Sequence, residues 1–234
     1  MYEKMTHLVT IDGPAGVGKS SVARILAQQL HFIYLDTGAM YRAIAYLFSL
    51  QQKNSTSAVL DEAKAMANLC ANLSMELLPP LIGKEYGRVQ VNGMVLEDEL
   101  RTEEIGNLAS RLSVLPEVRT SLTNMQRQMG KKGGLVAEGI DTGTVVFPHA
   151  TWKFFLDAQA EVRARRRVKQ LQGQGKEVDE AALFSALMER DHNDRNRAIA
   201  PLQPAEDALV LDTTNLGMNE VVQLMLNYIQ QRPK

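Results

Sequence analysis

Residues 8–20 constrain this chain more than any other stretch. Leu8-Val9-Thr10-Ile11-Asp12 is a short apolar run rich in β-branched residues. It passes without a break into Gly13-Pro14-Ala15-Gly16-Val17-Gly18-Lys19-Ser20, and Val22, Ile25, Leu26 and Leu30 then recur at helical spacing. A strand, a G-x-x-x-x-G-K-[ST] loop and a helix in that order form a phosphate-binding loop. The glycines let the backbone wrap with its N–H groups turned inward. The helix beginning near Gly18 adds its positive end to a bound phosphate. Lys19 is then within reach of the β- and γ-phosphates of a nucleoside triphosphate, and the Ser20 hydroxyl offers an oxygen to Mg²⁺. A glycine-rich turn with an incidental lysine is the bland alternative; the complete match and both flanks stand against it.

The remaining pattern predicts an α/β fold. Apolar runs at 32–36, 135–138, 153–157 and 209–212 join the first strand, and helical patterns follow them. Buried hydrophobic runs, each leading into a helix, are the signature of a parallel sheet flanked by helices. Helices are predicted at about 19–29, 39–50, 61–70, 101–113, 116–130, 160–171, 180–192 and 218–231. Pro116 opens one of them, where its missing N–H is harmless. Residues 51–57 read as a loop, 173–178 as a glycine-containing turn, and 193–206 as a charged loop or helix end. Between core elements, 73–78, 89–91 and 94–96 read as small strands, with Asn92-Gly93 as a hairpin turn. Pro79-Pro80 excludes a regular central strand there. This predicts an antiparallel insertion over 72–100.

Composition narrows the function. With 234 residues, 45% apolar and 23% charged, the chain is an ordinary globule with ample core. A net charge of −1 gives no global attraction for nucleic acid. Basic residues nevertheless crowd into 163–169 and 190–197, which favours a small polyanion. Cys70 is the sole cysteine, so no intrachain disulfide forms, and a buried structural role is expected. Residues 1–7 do not read as a secretory leader, because the first strand runs straight into the loop. No apolar stretch approaches 18 residues. A cytoplasmic enzyme without nucleic-acid or membrane partners fits these features, and nothing demands more than a monomer.

A triphosphate loop alone does not say where the phosphoryl group goes. An NTPase needs a positioned water; a kinase needs a second pocket that excludes water. Arg42, Arg119, Arg163, Arg165, Arg166, Arg167, Arg190, Arg195 and Arg197 favour the kinase, because transfer between two anions requires several directed cations. For the 163–167 run, the adjacent like charges call for an anion or an acidic neighbour. Asp36 and Asp141 follow predicted strands, where an acid holds Mg²⁺ through water or hydrogen-bonds a base or ribose; a helix N-cap is the alternative for Asp36. Glu138, ending its strand, is a candidate for a water-mediated Mg²⁺ contact. His7, His31, His149 and His192 have no ligand spacing, and Trp152 reads as packing.

With these residues assembled, the chain resembles bacterial cytidylate kinases (CMP/dCMP kinases) over essentially its whole length. The resemblance lies in residues 11–20, in Leu35-Asp36-Thr37-Gly38-Ala39-Met40-Tyr41-Arg42, in Ile105 to Ser110, and in Gly143-Thr144-Val145-Val146-Phe147-Pro148. It continues through Phe155-Leu156-Asp157-Ala158, Glu189-Arg190-Asp191, Asn196-Arg197 and Pro201-Leu202. The resemblance implies a P-loop kinase core with a five-stranded parallel sheet, formed by 1–71, 101–159 and 201–234. It also implies a monophosphate-binding insertion at 72–100 and a mobile helical lid at 160–200. ATP, with Mg²⁺, would give its γ-phosphoryl group to CMP or dCMP. Gly13, Pro14, Ala15, Gly16, Val17, Gly18, Lys19, Ser20 and Ser21 would hold the ATP phosphates, and Ser20 and Asp36 the metal. Thr37 and Arg42 would line the monophosphate site, and Ser110, Arg119 and Asp141 would read cytosine. Arg190 would reach the acceptor phosphate and Asp194 the ribose, with Arg197 near the transferred group. Lys19, Arg190 and Arg197 would be the catalytic set.

Two positions depart from the family pattern. Ile140 stands where the family has an arginine before the aspartate, and Asn193 stands where the lid has another. The expected activity is the same, with weaker acceptor binding. A kinase for another monophosphate or small metabolite is the nearest rival, and a nucleotide-binding protein with impaired catalysis is the other.

Overall fold

The computed structural model describes residues 7–54, 62–78 and 87–231. The proline pair 79–80, residues 55–57 of the predicted 51–57 loop, and residues 1–6 lie outside them; residues 51–54 of that predicted loop instead continue a helix that ends at Asn54. In chain order the elements begin β1 (Leu8–Asp12), α1 (Lys19–Leu30), β2 (Ile33–Asp36), α2 (Thr37–Asn54) and α3 (Glu62–Ala71). Next come β3 (Met75–Leu78), β4 (Arg88–Val91), β5 (Met94–Leu96), α4 (Glu103–Leu112) and α5 (Pro116–Gly130). The chain ends with β6 (Leu135–Gly139), β7 (Trp152–Asp157), α6 (Ala160–Gly173), α7 (Glu180–Asn196), β8 (Leu209–Asp212) and α8 (Met218–Gln231). A 3₁₀ turn at Asp98–Arg101 precedes α4, and a π-helical turn at Thr142–Val146 follows β6.

The chain divides into two compact units, 1–35 with 130–234, and 36–129. The first contains the five-stranded sheet, in the order β2-β6-β1-β7-β8. β1 lies at its centre, parallel to β6 (Thr10 opposite Ala137, Asp12 opposite Gly139) and to β7 (Ile11 opposite Phe154). Val9 and Ile11 are wholly buried, and so is Thr10 between them. A central parallel strand covered on both faces needs this continuous run rather than alternation. Val22 and Leu26 of α1 and Met225 and Ile229 of α8 pack with Val9, Ile11, Val136 and Phe154 in one core. The arrangement delivers the carboxyl ends of β1 and β6 side by side, and the loop after β1 starts at Gly13. There φ is +151°, and a side chain would collide with the Leu156 carbonyl oxygen, so only glycine fits.

In the second unit α2 packs on α4, on the 3₁₀ turn, on α3 and on β4. β3, β4 and β5 form the expected antiparallel sheet. Asn92 (φ 49°) and Gly93 (φ 82°) both adopt positive φ between β4 and β5, as a tight two-residue hairpin requires. Asn92 Oδ1 also accepts the Ser74 N–H at 2.8 Å.

Three boundaries differ from the sequence pattern for local reasons. α2 starts at Thr37 rather than 39, because the Asp36 carboxylate caps it by accepting the Ala39 N–H at 2.8 Å. The predicted 101–113 helix splits, because Thr102 is extended and its hydroxyl caps α4 through the Ile105 N–H at 3.2 Å. α7 runs on to Asn196, carried by residues that charge density alone reads as loop. Cys70 is partly rather than fully buried. Trp152 is buried and tilted against His7 at 5.1 Å, a packing role as expected. Among the described residues no helix is long and apolar enough to cross a membrane.

Candidate active site

The loop between β1 and α1 has Gly13, Gly16 and Gly18 at positive φ. Gly18 is the N-cap of α1, no side chain caps that helix, and its first turn carries no acid. The first N–H groups of α1 are therefore available to an anion at its positive end. Lys19 Nζ donates to the Pro14 carbonyl at 2.8 Å, folding the ammonium back over the loop. Burial pushes the Lys19 pKa below the ordinary lysine range; the Glu138 charge opposes this, and that of Arg190 adds to it. Ser20 Oγ donates to Glu138 Oε1 at 2.9 Å, and the Tyr34 hydroxyl donates to the same oxygen at 3.3 Å. A hydroxyl beside a buried carboxylate is a hard oxygen donor set, the kind Mg²⁺ accepts. Among the described residues no group of three or more acids, histidines or cysteines is placed to hold a metal ion.

Residues near the end of α7 and the turn after β6 complete this patch. Arg190 Nε lies 3.7 Å from Asp194 Oδ2, and Arg197 Nη2 lies 3.8 Å from Asp141 Oδ2. The side chains of Arg197 and Asp141 are almost wholly buried. Arg197 Nε also donates to the Ala200 carbonyl at 2.6 Å. Burial raises the Asp194 pKa, while Arg190, Arg197 and Lys19 hold it down. The first unit thus joins Lys19, Ser20, Glu138, Asp141, Arg190, Asp194 and Arg197 through contacts and shared fields.

The second unit holds the other predicted residues in two groups. Asp36 Oδ2 accepts from Arg42 Nη2 at 3.3 Å and from Arg101 Nη2 at 3.5 Å, with the buried Thr37 next in sequence. A Cβ on Gly38 would come within 3.2 Å of Arg42 Nη1 and 3.3 Å of Asp36 Oδ1, so the close approach of this pair favours glycine there. Arg119 Nη1 donates to the Ser113 carbonyl at 3.2 Å, and its guanidinium lies 6.0 Å above the Tyr41 ring. Ser110 lies on the same helix end, its carbonyl accepting the Ser113 hydroxyl at 2.7 Å.

The 163–167 arginines do not form one anion site. Helical spacing turns Arg163 and Arg166 inward onto the carbonyls of Ala15 (2.9 Å) and Val17 (3.5 Å) in the loop. Arg165 donates to its own helix at the Glu161 carbonyl, and Arg167 to Gln170. The acidic neighbour that their charge requires is Asp191, 2.6 Å from Arg163. Of the departures, Ile140 is partly buried directly before Asp141, and Asn193 is exposed on α7.

Sequence reasoning passed over Arg101, Tyr41 and Asp12. The available signal for Asp12 was the one applied to Asp36 and Asp141, an acid at the end of a buried strand. Its carboxylate accepts from the Thr142 N–H (2.8 Å), the Thr142 hydroxyl (2.7 Å) and the Gly143 N–H (2.7 Å). It thereby ties the donor loop to the turn carrying Asp141. Burial raises its pKa from 3.8 to about 6; the three hydrogen bonds resist, and the Asp141 charge adds to the rise. Folded Asp12 therefore keeps a proton between about pH 4 and 6 that the unfolded chain has lost. Over that window its contribution to stability falls as pH rises, by about 3 kcal/mol in total. Denaturant unfolding at pH 4.5 and 7 is expected to show this fall in the unmodified chain and a smaller one in Asp12→Asn; equal pH dependence contradicts it.

A five-stranded α/β sheet with a phosphate-binding loop at the centre, faced by Lys19, buried carboxylates and arginines, defines a P-loop phosphotransferase. The comparisons are more specific. A profile of the cytidylate kinase family matches residues 9–231. Cytidylate kinase of Vibrio cholerae is 46% identical over 227 residues, covering 97% of each chain. That of Dichelobacter nodosus is 45% identical over 94% of each. That of Actinobacillus succinogenes is 43% identical over 96% of this chain and 99% of its own. The chain belongs to the cytidylate kinase family. A solved structure of an uncharacterized protein from Eubacterium ventriosum shares the fold at 10% identity, with a TM-score of 0.51 over 97% of this chain and all of that one.

Proposed function

We propose that this chain transfers the γ-phosphoryl group of ATP to CMP or dCMP, giving ADP and CDP or dCDP. The observation that carries the reading is the grouping of Lys19, Asp141, Arg190, Asp194 and Arg197 around the loop of a chain in this family. The ATP phosphates lie along the N–H groups of residues 13–21. The acceptor phosphate is met by Thr37, Arg42 and Arg190, cytosine by Ser110, Arg119 and Asp141, and the ribose by Asp194. Ser20 Oγ would hold Mg²⁺, with Glu138 and Asp36 acting through water, and the ion would neutralise triphosphate charge. Both oxygens of Asp36 already accept hydrogen bonds from the α2 N–H of Ala39 and from arginines, which suits an indirect contact.

An acceptor phosphate is ionised near neutral pH, so no general base is needed. Catalysis rests on alignment and on Lys19, Arg190 and Arg197 offsetting the charge of the transferring group. The 160–200 segment acts as a lid that excludes water, and 72–100 as part of the monophosphate-binding module. With Ile140 at the family's arginine position, Arg42 and Arg190 carry the acceptor phosphate, at some loss of affinity. One chain holds every residue named, so a monomer suffices, and its nucleotide substrates suit work in the cytoplasm.

The test follows ADP and CDP together in a mixture of ATP, Mg²⁺ and CMP. Equal amounts of both, with negligible ATP turnover when CMP is omitted, are expected. Free phosphate released at the same rate with or without CMP points instead to an NTPase.

A further inference from the structure

Three nitrogens of Arg163, a residue only 4% exposed, each reach a different segment of the first unit. Nε donates to the Ala158 carbonyl between β7 and α6 (3.0 Å), Nη1 to the Ala15 carbonyl in the loop (2.9 Å), and Nη2 pairs with Asp191 Oδ2 on α7 (2.6 Å). Asp191 is itself 6% exposed. The loop is packed against the same two helices: a Cβ on Gly16 would come within 3.3 Å of the Arg163 carbonyl oxygen and of Leu187 on α7. Arg166 continues the contact, reaching the Val17 carbonyl at 3.5 Å while its other nitrogen donates to the Thr213 carbonyl at 2.6 Å.

A trans peptide is planar, and its C=O and N–H point in opposite directions. A guanidinium that holds the Ala15 carbonyl therefore fixes the direction of the Gly16 N–H, and one on the Val17 carbonyl fixes that of Gly18. These are donors a triphosphate would use. The same guanidinium grips Asp191, immediately after Arg190 and one turn before Asp194. We propose that Arg163 and Asp191 are positioning residues. They preset the loop's N–H donors and transmit the loop's occupancy to α7, so that a bound triphosphate steadies Arg190 and Asp194. This rests on the proposed kinase reading. Neither residue touches substrate. Lysine cannot replace Arg163, because one ammonium cannot reach three divergent acceptors in fork geometry. A buried ion pair that loses one partner leaves an uncompensated charge, so the pair acts as a unit.

The experiment uses the full chain, its Asp191→Asn and Arg163→Lys variants, and a non-hydrolysable ATP analogue with Mg²⁺. Hydrogen exchange is followed in 187–196, alongside analogue binding, kcat and KM. In the unmodified chain the analogue slows exchange in 187–196. Asp191→Asn is expected to bind the analogue within about threefold of normal, to lose that protection, and to lose kcat by about thirtyfold with a smaller change in KM. Asp191→Glu restores part of both. If Asp191→Asn does not fold, Arg163→Lys, which keeps the charge balance, is expected to lose the protection of 187–196 as well, with weaker analogue binding because the Ala15 carbonyl is released. Analogue binding with undiminished protection of 187–196 in a folded variant overturns the coupling and leaves the kinase reading intact. Absence of analogue binding by the unmodified chain overturns both.

Discussion

Lys19→Ala is expected to lower kcat by about a thousandfold or more while the chain stays folded. The ammonium is buried, its pKa lies below the ordinary lysine range, and it donates to the Pro14 carbonyl. Folding thus gains little from holding a desolvated cation beside Arg190, and the melting temperature is expected to stay level or to rise. The benefit appears when a triphosphate arrives, because charge then develops within reach of a cation already in place. A preorganised cation in a water-poor site is worth several times its value in water. Initial rates and thermal unfolding measured on the same preparation separate the two effects. Near-normal turnover in a folded Lys19→Ala variant contradicts the mechanism.

Asp141→Asn carries the second large effect. A carboxylate accepts from the amino group of cytosine, whereas uracil presents a carbonyl at that place and would face a second acceptor. A site built to accept from a substrate N–H rejects the analogue without it, since a buried polar group is then left unpaired. The buried Asp141 is held by Arg197 at 3.8 Å, and the turn that follows it is fastened by Asp12. The carboxylate proposed to read the base is therefore fixed before substrate arrives. An amide turns its NH₂ toward the uracil carbonyl, so kcat/KM for CMP is expected to fall about a hundredfold while that for UMP rises. An unchanged ratio of the two would remove Asp141 from base recognition.

The legible parts of the molecule were those in which chemistry and sequence neighbourhood coincide. The loop needs its glycines, lysine and serine within eight positions of the chain. β1, β6 and β7 announce themselves as buried runs, and Asn92-Gly93 carries its own turn geometry. The parts that stayed hidden depend on partners far apart in sequence. Asp12 meets Thr142 and Gly143 from about 130 residues away, so nothing near it reveals a threefold-bonded buried carboxylate. Arg101 reaches Asp36 from 65 residues away. The inward turn of Arg163 and Arg166 needs a loop carbonyl about 148 residues distant in sequence, and the run 163–167 looks uniformly basic until the helix sorts it by face. Caps explain the boundary errors: Asp36 and Thr102 each start a helix with a side chain that a hydrophobic pattern does not weigh.

The most direct measurement is the initial rate of ADP formation from ATP and Mg²⁺ by the unmodified chain, with CMP, dCMP, UMP and AMP as acceptors at equal concentration. Rapid formation is expected with CMP and dCMP, and rates at least about tenfold lower with UMP and AMP. Equal rates with all four acceptors, or formation of ADP that no monophosphate stimulates, would contradict this expectation.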